Sequence, residues 1–552
     1  MRRAVSHIAL LCALHPLSGS PGGAVATVDP IATDAAIAAM KKGGNAVDGA
    51  VAAGLTLGVV NGYNSGIGGG CFMVIRLANG KFRVIDGRET APAAARHDMY
   101  VRDGRANTRA SKVGALASGT PGALAAYELA ARKHGRLPLK WHLENAARIA
   151  ADGFEIPAAY AGRIRATGND LRRFKASASL LLDADGKALQ AGALLRQPDL
   201  ARTCRAVAKN GIGWFYGGPF AAATEKWMKA NGGILTAHDL ANYKVKLREP
   251  VRVTYRGHEI VSMPPPSSGG IHLGQILNIL ENFDLKNMKP KSVDFIHLVT
   301  EAMKLAFADR AHWLGDADFV PVPRGLVDKA YAKELAKRIR MDRAGTVAGH
   351  GQPPRSTEDL FNRHTTHFSC ADKDGNWVSC TATVNTSFGS KVIIPGTGVI
   401  LNNEMDDFSI QPGVPNAFGL IGAKANAIAP GKRPLSSMSP TLVLKNGEPI
   451  LAVGAAGGPT IITQTLLAII HAIDFGLPVK EALSQPRFHH QWAPDQLRIE
   501  KKVERKVLDG LRKRGHKLKL QDKMGATQAV SLRNGKFESA HDPRILGKAT
   551  IF

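Results

Sequence analysis

Thr365, His367, Thr381, Thr383 and Asn385 flank Asp374-Gly375 at even spacings. Asp-Gly between two arms rich in Thr, Val and aromatic residues signals a β-hairpin. Side chains on a strand alternate, so a turn centred near Asp374 puts all five residues on one face, with Thr365 across from Thr383. Hydroxyls, an imidazole and an amide are not what an apolar core selects, and the face reads as a site. Residues 343–363, just ahead of it, are polar and rich in Gly and Pro, a loop composition. A break between His364 and Thr365 would give Thr365 a free α-amine beside its hydroxyl. Such an amine titrates near ~7.7–8.0, which suits a general base at neutral pH. Threonine with its own terminal amine is an established nucleophile–base pair. On this stretch alone, a surface hairpin using Thr for strand propensity fits as well.

Other stretches carry chemistry of their own. Arg88 follows a strand that ends at Asp86, a good place to hold a carboxylate by its fork, although an Arg there is most often a surface ion pair. Residues 402–407, Asn-Asn-Glu-Met-Asp-Asp, form an acidic turn able to bind a cation or an ammonium. Gly457-Gly458-Pro459 opens a helix predicted over 460–473, and small residues there aim free N–H groups at an anion, as in an oxyanion hole. A loop that merely needs glycine reads the same. The long Pro- and Gly-containing loop 411–433 has the length of a lid.

The elements that must position these residues follow from periodicity. Thr33 is a candidate cap for a helix ending at Gly43-Gly44. An almost wholly apolar helix over 46–60 should be buried. Gly66 to Gly70 follows a helix and precedes a strand, so it is no dinucleotide fingerprint and signals close backbone approach. Hairpins turn at Asn79-Gly80, Asn446-Gly447 and Asn534-Gly535. Residues 118–338 read as mainly helical, with stretches over 271–282 and 301–313. Antiparallel hairpins beside long helices predict an α+β protein with two sheets between helical layers.

Composition narrows the rest. The 552 residues can bury a large core. A net charge of +26 favours anionic partners, yet Lys and Arg are spread out and no zinc-finger or RNA-binding signature is present, so no nucleic-acid partner is expected. No Cys-x-x-Cys occurs, which disfavours zinc. Cys370 and Cys380 sit diagonally on the hairpin face away from Thr365, so a disulfide there is not favoured. Residues 1–20 combine a basic start with a short apolar run, the pattern of a signal peptide, which points to a periplasmic or secreted protein. No later apolar run reaches membrane-spanning length.

Taken together, His364-Thr365-Thr366-His367, Thr383-Val384-Asn385-Thr386, residues 401–408, Pro434 to Pro440, Gly457-Gly458 and Arg487 to Gln491 resemble the γ-glutamyltransferases, N-terminal nucleophile hydrolases. Pro264 to Gly270 and Asp86 to Pro92 also fit. The resemblance spans nearly the whole chain. It implies a four-layer αββα sandwich and self-cleavage between His364 and Thr365 into a large subunit, 21–364, and a small one, 365–552. It makes Thr365 the nucleophile, positioned by Thr383, with Gly457 and Gly458 as the oxyanion hole. Arg88, Ser436 and Ser437 would take the α-carboxylate of a γ-glutamyl group, and Asn385, Glu404 and Asp407 its α-amine. The implied substrates are glutathione and other γ-glutamyl compounds, with water, amino acids or peptides as acceptors and neither metal nor organic cofactor. Phe418 stands where many bacterial relatives carry Tyr, and Glu404 where some carry Gln. Two other readings are a glutaryl-cephalosporin acylase or poly-γ-glutamate depolymerase built on the same nucleophile, and an uncleaved basic binding protein without catalysis.

Overall fold

The hairpin turning at Asp374-Gly375 adopts the expected register: strands Phe368–Asp372 and Trp377–Thr383 pair antiparallel, with Phe368 opposite Cys380 and Ala371 opposite Trp377. Gly375 takes φ +92° in the turn. This computed structural model describes residues 22–354 and 367–552. The hairpin lies inside a seven-stranded sheet in the order Lys548–Ile551, Gly23–Thr27, Phe368–Asp372, Trp377–Thr383, Gly70–Arg76, Phe82–Gly87, Lys246–Arg248. A six-stranded sheet stacks on it in the order Lys536–His541, Ala526–Arg533, Glu448–Ala456, Thr441–Lys445, His258–Ser262, Val251–Tyr255. All pairings within both sheets are antiparallel. Both sheets mix strands from before and after residue 364.

The two faces of the hairpin meet different layers. Phe368, Cys370, Val378 and Cys380 pack in one core with the apolar helix Ala46–Val60. On the other face, Ala371 and Trp377 meet Leu442, Ala452 and Val530 of the second sheet. There the Ser369 hydroxyl donates to the Ala452 carbonyl at 3.3 Å and that of Ser379 to the Val453 carbonyl at 3.1 Å. The hydroxyl-rich face is therefore closed for most of its length by the second sheet, whose strand carbonyls satisfy it. Of the residues expected on it, Thr383 and Asn385 reach a cavity. His367 is buried between Thr381 and Ser369, and burial pushes its imidazole down to about 3, so it stays neutral.

Local sequence explains the helices that carry these sheets. Helix Pro30–Lys41 is capped by Asp29, whose carboxylate accepts from Ile31 N at 2.9 Å, rather than by Thr33, which sits inside the helix. Helix Ala46–Val60 is buried as its composition demands, and it begins at a capping box of Asn45 and Asp48. Asp48 is itself fully buried. Burial opposes its charge, but hydrogen bonds from His142 and from the backbone amides of Arg136, Asn45 and Leu137 hold its carboxyl below the usual range. On the far side, helices Gly269–Leu280, Val293–Trp313 and Thr460–Ile473 cover the second sheet. The second of these starts at Val293, ahead of the expected 301, because Ser292 caps it.

Strands Val251–Tyr255 and His258–Ser262 correct the mainly helical reading of 118–338. Val251, Val253 and Tyr255 alternate inward and the chain reverses at Arg256-Gly257. Cys71, Cys204, Cys370 and Cys380 are buried free thiols. Among the described residues, no helix is long and apolar enough to cross a membrane.

Candidate active site

Thr383 ends the inner strand of the hairpin, and the glycine run ahead of strand Gly70–Arg76 lets the chain close on it. A Cβ at Gly69 would lie 1.8 Å from the Thr383 carbonyl oxygen, so only glycine fits there. The Thr383 hydroxyl accepts from the amide of Asn385 at 2.7 Å, which leaves its proton free to be donated. Asn385 takes φ +75°, a left-handed conformation that Asn tolerates. Its side-chain amide donates to the Asn403 carbonyl at 2.9 Å, tying this corner to the acidic turn.

Gly457 and Gly458 join strand Glu448–Ala456 to helix Thr460–Ile473, with φ +131° and +60°. Their amides donate to no acceptor among the described residues. Two such donors at a helix start suit a developing oxyanion. Phe418, from the 411–433 loop, packs over Gly458, where a Cβ would come within 2.6 Å of its ring. With no hydroxyl on Phe418, its neighbours fasten the loop. Asn416 donates to Asp407 at 3.3 Å, Ala417 N to Asp406 at 2.8 Å, and Gln491 to the Gly419 carbonyl at 3.0 Å.

Behind this floor lies a charge cluster. The Arg88 guanidinium is wholly buried. It donates to Glu404, to Asp407 at 2.9 Å and to Glu89 at 3.3 Å. Three carboxylates thus share one cation. Burial, only partly offset by Arg88, pushes Asp407 up to about 6 and Glu89 up to about 7, and raises Glu404 as well. One oxygen of Glu404 and one of Glu89 find no donor among the described residues. A buried cluster short of positive charge is suited to an incoming ammonium.

The opposite wall is built from the loop leaving residue 434. Ser436 is held by the loop before helix Gly269–Leu280: Ser268 N donates to its carbonyl at 3.0 Å, and its own amide donates to the Pro266 carbonyl at 3.3 Å. The Ser437 hydroxyl accepts from Arg310 Nη2 at 3.2 Å. A cavity of about 310 Å³ opens between these walls, a size suited to a small metabolite. Thr383, Asn385, Asp407, Ser437, Gly457, Gly458 and Phe418 line it. Glu404 and Arg88 stand behind Asp407, and Ser436 behind Ser437. His364 and Thr365 lie outside the described residues, as does the 1–20 segment.

Arg310 and Arg163 also line the cavity and were not singled out from the sequence. Arg310 was legible in principle. It is a buried arginine on a helix buried for most of its length, a placement that arginine otherwise avoids. Arg163 lies on an ordinary amphipathic helix, Ala158–Leu171, and carried no such signal.

Known proteins agree with this geometry. The Gamma-glutamyltranspeptidase family profile matches residues 32–552. The glutathione hydrolase proenzyme of Escherichia coli (strain K12) is 44% identical over 539 residues, 97% of this chain and 92% of that protein. The Acylase ACY 1 proenzyme of Pseudomonas sp. (strain SE83) is 40% identical over 517 residues, 92% of this chain and 89% of that protein. The crystal structure of cephalosporin acylase from Bacillus halodurans superposes with a TM-score of 0.83 at 28% identity, covering 96% of each chain. The chain belongs to the gamma-glutamyltranspeptidase family.

Proposed function

We propose that this protein is a self-processing γ-glutamyltransferase and glutathione hydrolase, exported from the cytoplasm. The observation that carries the reading is the cavity itself. One 310 Å³ space gathers an acidic wall, a hydroxyl wall, the two glycines Gly457 and Gly458, and Thr383.

Maturation starts when the Thr365 hydroxyl attacks the carbonyl of His364. The acyl group moves from nitrogen to oxygen, which frees the α-amine of Thr365, and water then hydrolyses the ester, leaving a carboxylate on His364 and restoring the Thr365 hydroxyl. In turnover that amine takes the hydroxyl proton while Oγ1 bonds to the γ-carbonyl carbon of the donor. Gly457 and Gly458 N–H groups hold the oxyanion. Collapse expels the leaving amine, which takes the proton, and leaves a γ-glutamyl ester on Thr365. Water or an acceptor amine then attacks the ester and regenerates the hydroxyl. Thr383 donates to Thr365 and orients it. Asp407, Asn385 and Glu404 receive the donor α-ammonium. Ser436 and Ser437 receive its α-carboxylate, with Arg88 joining by exchanging one of its carboxylate partners for that of the donor.

The acylase relatives raise a second reading, a donor acyl group without an α-amine. The three carboxylates around Arg88 favour the ammonium-bearing group. Turnover of γ-glutamyl and glutaryl anilides by the purified protein separates the two. The γ-glutamyl anilide should be cleaved at least about tenfold faster, the effect of one charge-assisted contact; faster glutaryl release would overturn the donor assignment. An intact-mass spectrum should show two fragments, the second starting at Thr365.

The raised carboxyl of Asp407 gives a pH signature. Its charged form binds the ammonium, and protonation below about 6 removes that attraction. KM for the γ-glutamyl donor should therefore rise by roughly tenfold per pH unit at most as pH falls from 6 to 5, while KM for a glutaryl donor stays flat. Parallel rises for both donors would remove Asp407 from ammonium binding.

A further inference from the structure

Arg310 is the cation that the family resemblance leaves unused. It projects from helix Val293–Trp313, is 3% exposed and lines the cavity. Its neighbour in sequence does not neutralise it. Asp309 points away and is saturated by Gln275 at 2.6 Å, the Tyr331 hydroxyl at 2.8 Å and Gly351 N at 2.6 Å. Arg310 instead donates only to neutral oxygens: Nε to the Ser268 hydroxyl at 2.9 Å, and Nη2 to the Ser437 hydroxyl at 3.2 Å and the Ser436 carbonyl at 3.4 Å. Nη1 has no acceptor among the described residues. The charge of Asp407, lining the same cavity, offsets its burial only in part, and a buried guanidinium with no anion in direct contact is costly unless one arrives.

The hydroxyl chemistry fixes where that anion would sit. Ser437 Oγ accepts from Arg310, so its own proton is free to point onward into the cavity. Ser268 Oγ accepts from Arg310 Nε and donates to the Ser436 carbonyl. Arg310 thus holds Ser437 in place and keeps one N–H of its own available beside it. Arg88, by contrast, is occupied by three carboxylates and does not line the cavity.

Building on the proposed γ-glutamyl activity, we infer that Arg310 is a substrate-binding residue whose Nη1, together with the Ser437 hydroxyl, holds the α-carboxylate of the donor. Selection for a carboxylate at that position is then set by helix Val293–Trp313 as well as by Arg88. The donor lies between two opposite fields, with its ammonium toward Asp407 and its carboxylate toward Arg310.

The test compares two donors on the mature enzyme: γ-glutamyl-4-nitroanilide and its α-carboxamide analogue, which has the same shape without the charge. In Arg310→Met, kcat/KM for the carboxylate donor should fall about 30-fold, mainly through KM, since a charge-assisted hydrogen bond is lost. The carboxamide donor should change less than about threefold, so the preference between the two collapses. Arg310→Lys keeps the charge without the fork, and its preference should lie between those of wild type and Arg310→Met. It also serves if the methionine variant fails to mature. An equal loss on both donors, in either variant, would mean that Arg310 only supports the wall, and would overturn the inference. Wild-type protein that cleaves neither donor would instead overturn the proposed activity.

Discussion

Thr365→Ala is expected to yield a single uncut polypeptide with no measurable turnover, a loss of at least about 10⁴-fold. One hydroxyl performs both jobs in the proposed scheme, self-cleavage and acyl transfer, so removing it stops both. Thr365→Ser should still mature and turn over, more slowly, because its hydroxyl and future α-amine occupy the same places. The pair therefore separates loss of chemistry from loss of fold. The fold should be intact in both variants, because each substitution changes only one small side chain. Electrophoresis under denaturing conditions and N-terminal sequencing read the result. A second fragment from Thr365→Ala that begins at any residue would assign the cut to another nucleophile.

Arg88→Met should be the most damaging substitution behind the cavity wall. Glu89, Glu404 and Asp407 would be left buried with no cation among them, and removal of one partner of a buried ion pair costs about 3–5 kcal/mol. The pH dependence supplies a check. These carboxyls already titrate above their unfolded values, Asp407 at about 6 and Glu89 at about 7. The folded state therefore holds more protons than the unfolded chain between about pH 4 and 7, and stability falls as pH rises through that window. Without Arg88 the effect should grow. The melting temperature of Arg88→Met should lie far below wild type at pH 7.5 and recover part of the difference at pH 5. Equal deficits at both pH values would show that the lost packing, not the orphaned charge, matters.

Much of the fold was legible because its signals are local. Asp374-Gly375 set the hairpin register, and Asn446-Gly447 and Asn534-Gly535 placed two more turns. The apolar run 46–60 announced a buried helix. The edge strand Val251–Tyr255 and its inner neighbour His258–Ser262 were missed because polar residues such as Arg252, Thr254 and Glu259 interrupt their apolar ones and most of the surrounding sequence is helical. The face carrying Ser369, Thr381 and Thr383 was read as open because hydroxyls look like a site. The second sheet that covers it comes from strands roughly seventy and more residues away. Proximity in space is what single-sequence patterns do not encode. The same limit hid Arg310, whose relation to Ser437 joins positions 127 residues apart. Local sequence singled out Arg88 and the acidic turn with Asp407, and family resemblance gave them roles, but neither showed the sharing of one guanidinium by three acids.

Strand Gly23–Thr27 pairs on one side with Phe368–Asp372 and on the other with Lys548–Ile551. The proposed cut ahead of Thr365 would leave the middle of this sheet to two molecules braided together. An intact precursor recovers from denaturation at a rate independent of concentration, whereas separated pieces must first meet. That cut would make a ratchet whose shelf life is set by how slowly the braid opens.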